Sequence, residues 1–353
     1  MSWKKDLALS VRSKEALIEN SGINPGEEEE AFFSDSRKKN FAFSVPRYYL
    51  SLIGQDPDDP VRIQCIPKAL EFEVKPWELD DPLGEDKYKV TDRLIHRYRD
   101  RVLFLVTDTC AMYCRHCFRR SFTGQRSGVV SQRELKQAAE YIRSHREVAE
   151  VILSGGDPLT LETEVLDRVL SELKEAREDI VFRIGTRVPV VLPSRIDKEL
   201  VKTLRKYLPL FVITQFNHAK EITLQSTAGC GALIDSGIPV LNQAVLLKGV
   251  NDSVPELEDL FHALVRNRIK PYYLFQGDLA AGTSHLRVSL KKGLSLMKEL
   301  RTRISGLSLP VYAVDLPGGG GKIPLTENYT GPLTEKGWEL YDARGNVFLY
   351  PEE

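Results

Sequence analysis

The chain has 353 residues, and 49 Lys and Arg stand against 50 Asp and Glu, for a formal net charge of −1. That balance argues against bulk nucleic-acid or membrane-surface binding, and no apolar run approaches the roughly 20 residues of a spanning helix. The opening Met-Ser-Trp-Lys-Lys-Asp has no apolar signal core, so the expected location is the reducing cytoplasm, and the length allows one large α/β domain or two medium ones.

Residues 1–95 carry the acidic run Glu27–Glu30, several prolines and weak periodicity, with the first 20 residues able to form helix. They read as an N-terminal extension of helices and loops packed on a main domain. Cys65, like Cys230 further on, is isolated and reads as a small buried hydrophobe.

From residue 101 a rhythm begins. Apolar, β-branched runs predict buried strands at 101–107, 149–154, 180–186, 210–216, 239–247, 270–276 and 311–316. Stretches of helical period lie between them, at 131–144, 162–175, 195–207, 220–236, 254–266 and 289–305. Ser131 followed by Glu134 makes a capping box at one helix start. Alternating strand and helix with short connections means parallel βαβ units. Six units and a terminal strand predict an α/β fold, a complete or partial barrel with its chemistry at the carboxyl ends of the strands. The segments are then the extension (1–95), the barrel core (96–325) and a short C-terminal tail (326–353).

The loop after the first strand holds Cys110-Ala-Met-Tyr-Cys114-Arg-His-Cys117. Three thiolates so spaced can hold three irons of a [4Fe–4S] cluster and leave the fourth iron open to a small molecule. Zinc is the alternative, but structural zinc usually takes four ligands and no second cysteine pair exists; His116, between two cysteines, would strain a tetrahedron. An odd trio suits a disulfide poorly. Arg119 and Arg120 follow, either a surface basic pair or a bidentate partner for a carboxylate.

The second strand ends in Ser154-Gly155-Gly156-Asp157, a tight turn or a place where backbone approaches a ligand. Thr186-Arg187 and Gln215-Phe-Asn-His218 end the next two strands, Gln243 lies in the fifth, and Gln276-Gly-Asp278 ends the sixth. Asp278 and Asp315 are ordinary caps or turns, or together a holder for an ammonium group. Gly318–Gly321 before Lys322 is a flexible linker, or room around an amine that takes pyridoxal phosphate (PLP). It is not a P-loop, because Ile323 follows the lysine.

In order and spacing, over roughly residues 40–330, these segments resemble radical S-adenosylmethionine (SAM) enzymes, and more narrowly the lysine 2,3-aminomutase family. The resemblance is carried by Arg101-Val-Leu-Phe-Leu, the cysteine loop, Leu153-Ser-Gly-Gly-Asp-Pro-Leu159, Arg187-Val-Pro-Val-Val-Leu-Pro193 and Phe216-Asn-His218. Asn242-Gln-x-Val-Leu-Leu-x-Gly-Val-Asn251, Pro271-Tyr-Tyr273 and Asp315-x-Pro-Gly-Gly-Gly-Gly-Lys322 complete it. It implies a partial (β/α)6-type, TIM-like radical SAM barrel, open on one side.

By position the resemblance implies that Cys110, Cys114 and Cys117 ligate the cluster. His116, Ser154, Gly155, Gly156, Asp157 and Gln243 would line the SAM site. Lys322 would hold PLP, with Arg97 and Arg101 near its phosphate. Arg119 would pair with the substrate α-carboxylate, and Asp278 and Asp315 with the side-chain ammonium of lysine. The implied reaction is an isomerisation of L-lysine to β-lysine by a SAM-derived radical. An electron donor such as flavodoxin or ferredoxin is the implied partner, with a homo-oligomer possible and neither nucleic acid nor membrane involved.

The sequence departs from that pattern in places. The family's longer members carry a C-terminal cysteine cluster that joins another cysteine in a zinc site. Here that cluster is lacking and Ser253 stands at the other position, so no zinc is expected. Gln215 stands where the lysine enzymes have His. The short tail also resembles relatives that make (R)-β-lysine for elongation factor P, and arginine or glutamate are lesser alternative substrates. Retention of Asp278 and Asp315 favours a cationic side chain.

Overall fold

The computed structural model describes residues 2–40, 42–125, 128–342 and 344–351. One sheet of nine strands, paired strictly in chain order, organises most of the described chain. Its strands are β1 (Leu94–Tyr98), β2 (Arg101–Thr107), β3 (Glu150–Gly155), β4 (Val181–Gly185), β5 (Leu210–Thr214), β6 (Val240–Leu246), β7 (Lys270–Gln276), β8 (Val311–Leu316) and β9 (Gly321–Pro324). β2 through β8 run parallel, and β1 and β9 lie antiparallel at the two edges. The seven parallel strands match the seven predicted ones to within two residues at either end. β1 and β9 are not hydrogen-bonded neighbours, so the sheet is an open, partial barrel.

The crossing helices follow the predicted periodicity. In Gln132–Ser144 the buried residues are Leu135, Ala138, Ala139 and Ile142, one stripe at helical spacing. Its capping box forms as expected: Ser131 N–H donates to Glu134 Oε2 (2.7 Å) and Glu134 N–H to Ser131 Oγ (3.3 Å). Thr163–Ala176 buries Leu166, Val169, Leu170 and Leu173 in the same way. Two helices start later than their hydrophobic period. Asp197 caps Lys198–Arg205 by accepting from Leu200 N–H (2.8 Å), and Thr223 caps Leu224–Asp235 by accepting from Ser226 N–H (3.2 Å). A side chain that takes the orphan amides sets the first turn more strongly than apolar spacing does.

Three features were not legible in the periodicity: the edge strands β1 and β9, and a three-stranded antiparallel sheet of β10 (Thr330–Thr334), β11 (Gly337–Tyr341) and β12 (Val347–Tyr350). The expected short tail is therefore a small sheet. Cys65 and Cys230 are fully buried among apolar neighbours, as read from their isolation.

Before β1 the chain forms short helices and turns, including Trp3–Ala8, Lys14–Ser21 and Glu27–Ser34. A buried ion pair holds this region. Arg62 binds Glu29 twice (2.9 and 2.5 Å) and also donates to Gln55 O and Asn24 O, with both side chains essentially without solvent exposure. Breaking a buried pair from one side leaves an uncompensated charge and costs about 3–5 kcal/mol. Glu29→Ala should therefore lose stability of that order in urea denaturation. Arg62→Met with Glu29→Leu should recover much of it; a double variant as unstable as the single one would show that the pair is not a closed electrostatic unit.

Candidate active site

The carboxyl ends of β2 to β8 open into a cavity of about 610 Å³. The fifteen residues to which the resemblance gives site roles all line it, from Cys110, Cys114 and Cys117 at one side to Arg97, Arg101, Asp315 and Lys322 at the other. The barrel topology brings together residues that lie up to 225 positions apart, from Arg97 to Lys322.

The cysteine loop is anchored by its own basic residue. Arg115 donates to Glu71 Oε1 (2.8 Å) and Oε2 (2.5 Å), and Arg120 Nη2 donates to the same Oε2 (2.5 Å). Burial pushes the Glu71 carboxyl up, but the two guanidinium groups outweigh it and hold it below its usual range. Burial and the neighbouring thiol groups push Cys110 and Cys117 above the ordinary thiol range. Both are protonated at neutral pH unless a cation takes the proton's place. Among the described residues no three His, Cys, Asp or Glu side chains stand close enough to share one ion. A cluster of several irons takes each thiolate to a different iron and needs no such convergence.

The two glycines at the end of β3 are required by the protein itself. Gly155 has φ +120°, and a Cβ there would lie 2.2 Å from Thr107 O; one on Gly156 would lie 2.3 Å from Thr109 O. Gly156 N–H and Asp157 N–H donate to those same carbonyls (2.6 and 2.9 Å). Both amides are thus engaged by the loop that leads into the cysteines, a packing need for the two glycines that stands beside their place in the cavity lining. Asp157 also turns inward. Its carboxylate accepts from Leu159 N–H (3.0 Å), Thr186 Oγ1 (2.6 Å), Arg187 N–H (2.7 Å) and Val188 N–H (3.2 Å).

His116 lies deep in the cavity wall, and burial, with Arg187 and Arg115 nearby, holds its pKa well below the usual range. Val245 N–H donates to Asn217 Oδ1 (2.9 Å), which turns the Asn217 amide nitrogen toward Gln64 Oε1 (2.9 Å) and His116 Nε2 (3.5 Å). Gln215 Nε2 stands 2.8 Å from the same His116 nitrogen. Two amide donors facing Nε2 make it the acceptor, so the ring proton sits on Nδ1. That Nδ1 is buried without a protein partner. Gln215, the departure from the family pattern, is thereby a neighbour of His116.

At the other side, β8 and β9 form a hairpin in which Asp315 pairs with Lys322 and Leu316 with Gly321. The glycine run is its turn: Gly318 and Gly319 have φ +66° and +92°, and a Cβ on Gly319 would lie 2.8 Å from the Tyr88 ring. This excludes the flexible-linker reading. Cross-strand pairing sets Lys322 Nζ 3.8 Å from Asp315 Oδ2 and 4.1 Å from the centre of the Phe275 ring. Burial lowers the Lys322 pKa, which favours the neutral, nucleophilic amine. The hairpin also meets the opposite edge of the sheet, where Lys322 N–H donates to Tyr98 OH (3.0 Å) and Tyr88 OH to Gly319 O (3.2 Å). Arg97 lies near Tyr98 with its Nε and Nη2 buried and unpartnered, and Arg101 stacks on Tyr98 at 3.9 Å.

Arg119 donates from Nε to Glu85 Oε2 (3.0 Å) and from Nη1 to Ser154 Oγ (3.2 Å). Glu85 gave no signal in the sequence, because it lies in a stretch without periodicity. Tyr98, Phe275 and Glu85 are the neighbours that sequence reasoning missed. Burial, then the Asp315 charge, pushes the Asp278 carboxyl up to about 7. Ionising it costs the unliganded fold stability as pH rises from the ordinary carboxylate range to about 7. Asp278→Asn should therefore stabilise the unliganded protein more at pH 8 than at pH 5, by about 1.4 kcal/mol per unit of the shift at most. Urea denaturation at both pH values measures it; an equal gain at the two would remove the shifted carboxyl.

Residues 104–261 match the radical SAM superfamily, and residues 297–353 match the family described as lysine-2,3-aminomutase. The L-lysine 2,3-aminomutase of Clostridium subterminale is 47% identical over 315 residues, 89% of this chain and 76% of the relative. That of Acetoanaerobium sticklandii is 43% identical over 351 residues, 99% of this chain and 84% of the relative. A glutamate 2,3-aminomutase from Clostridioides difficile is 41% identical over 317 residues, 89% of this chain and 74% of the relative.

Proposed function

The chain belongs to the lysine 2,3-aminomutase family of radical SAM enzymes, and from that premise we propose that it moves the α-amino group of L-lysine to the β-carbon, giving β-lysine. The observation that carries the choice of substrate is the pair Asp278 and Asp315, two carboxylates lining one side of the cavity beside Lys322. A cationic side chain is complementary to them; the glutamate side chain would meet like charge.

Three groups fit the residues present. Cys110, Cys114 and Cys117 would hold a [4Fe–4S] cluster, which, once reduced, supplies the electron that cleaves SAM. His116 Nδ1–H, Ser154 and Gln243 would face SAM, and the fit is supported by the unpartnered His116 nitrogen. Asp157 supports that wall through the four bonds it accepts, as a positioning residue. Lys322 would hold PLP, which spreads unpaired spin when bound. Two buried, unpartnered nitrogens of Arg97, with Arg101 beside it, suit the PLP phosphate.

The protein's own residues then do the following. Lys322 offers an amine whose pKa burial lowers, set against the Phe275 and Tyr273 rings and beside Asp315. Glu85 holds two donors of Arg119 so that the remaining N–H groups of the fork can take the substrate α-carboxylate. Asp315 and Asp278 bind the distal ammonium, which Asp278 does better as it ionises near pH 7. The electron would come from a carrier of the flavodoxin or ferredoxin kind. Among the described residues no helix is long and apolar enough to cross a membrane.

Turnover tests the reading. After anaerobic reconstitution with iron, sulfide, PLP, SAM and a reductant, lysine, arginine, glutamate and alanine are supplied separately and β-amino acids resolved by chiral chromatography. β-Lysine from lysine alone is expected; SAM cleavage with no β-lysine would overturn the substrate assignment. Lys322→Ala should lose the visible colour of a lysine-bound pyridoxal while keeping its iron. Asp315→Asn should raise the KM for lysine about 10- to 100-fold, the range for a charged hydrogen bond worth about 1.5–3 kcal/mol, with PLP binding retained. An unchanged KM would remove Asp315 from the substrate site.

A further inference from the structure

Arg187 lies two residues beyond β4, is 7% exposed, and donates from all three of its guanidinium nitrogens. Nη1 donates to Cys114 Sγ at 2.8 Å. Nη2 donates to Glu221 Oε1 (2.8 Å) and Gln64 Oε1 (2.5 Å), and Nε to Gln215 O (3.2 Å). Its backbone N–H donates to Asp157 Oδ2 (2.7 Å). Glu221 is fully buried and accepts in addition from Tyr49 OH (2.7 Å) and from the backbone N–H groups of Asn217 (2.6 Å) and His218 (2.8 Å). The guanidinium is thus fixed from three sides and aimed at a single sulfur.

A purely structural arginine in this place would need only Glu221 and the carbonyl. The donor directed at a cysteine sulfur is the part that packing does not require. Hydrogen bonds to cluster sulfurs and nearby charge are among the determinants of an iron–sulfur potential. A guanidinium has five fixed donors and is always charged, so its effect does not depend on pH.

We infer that Arg187 is a positioning residue that raises the reduction potential of the iron–sulfur cluster, through its hydrogen bond to Cys114 Sγ. The inference rests on the cluster reading given above. In the step concerned, one electron from an external reductant converts the oxidised cluster to a state one charge more negative; no bond forms or breaks and no proton moves. The donor and the positive charge stabilise that more negative state. Glu221 offsets part of the charge but leaves the hydrogen bond, and its own bonds to Tyr49 and the Asn217 and His218 amides keep the guanidinium from turning away. The same residue ties the Asp157 turn to the cysteine loop.

The test is a redox titration of the anaerobically reconstituted, full-length protein, followed by electron paramagnetic resonance without substrate. The proteins are the unsubstituted chain, Arg187→Met and the double variant Arg187→Met with Glu221→Gln. The double variant keeps the buried network neutral, so it guards against misfolding from an unpaired Glu221. In Arg187→Met the ratio of reduced to oxidised cluster at a fixed potential should fall about tenfold or more, a downward shift of about 59 mV or more for a one-electron couple. The double variant should shift in the same direction by less, since it loses the hydrogen bond without a net change of charge. A midpoint that stays in place or rises in the double variant, with iron content and cluster signal intact, would overturn the inference while leaving the cluster reading standing. An absence of any cluster signal in the unsubstituted protein would overturn both. Circular dichroism that matches the unsubstituted protein, with the potential lowered, separates this role from a merely structural one.

Discussion

The carboxylate of Asp157 is the constraint from which the site geometry follows. It stands at the end of β3 and accepts four hydrogen bonds, three of them from residues 186–188 at the end of β4. A buried carboxylate is costly without such partners, and burial indeed pushes its pKa up. The amides it needs are those of the turn that carries Arg187. Satisfying Asp157 therefore sets where Arg187 starts, and Arg187 in turn reaches Cys114, Gln64 and Glu221. Two neighbouring strand ends and the cysteine loop are thereby coupled through one chain of buried hydrogen bonds.

Close backbone contact completes the same wall. Gly155 and Gly156 let the β3 turn lie against residues 107–109, where a Cβ would have no room. The cysteine loop is thus backed by carbonyls on one side and by the Glu71 carboxylate, held by Arg115 and Arg120, on the other. Gly282 presses on Glu71 O in the same region, where a Cβ would come within 2.3 Å. The segment before the barrel also reaches the cavity itself, which Leu83 and Glu85 line.

The opposite wall depends on the β8–β9 hairpin. An open barrel leaves its edges available, and here the last edge turns back so that Lys322 faces Asp315 across a two-stranded ladder. Contacts from Tyr88 and Tyr98 hold this hairpin near β1. An amine kept among aromatic rings and two carboxylates feels opposing influences: burial favours the neutral form and the carboxylates favour the charged one, with burial the larger. That balance suits a lysine that must act as a nucleophile yet lie beside groups able to receive a second, cationic amine.

The sequence by itself determined the parallel strands, the helices that cross between them and the family. Strand and helix periods are local properties, and motifs such as Cys110-x3-Cys114-x2-Cys117 and Asp315-to-Lys322 keep their chemistry within a few residues. Residues whose partners are distant in sequence were not legible. Glu85 bonding Arg119, Tyr98 bonding Lys322, and Glu221, Gln64 and Cys114 all meeting Arg187 are pairings with no periodic or compositional trace. The edge strands β1 and β9 escaped for a related reason, since an edge strand takes its shape from the neighbour it pairs with and not from its own residues. Only the tertiary structure decided these, because a buried hydrogen bond is specified by where two strand ends are brought together, and that distance is set by the whole sheet.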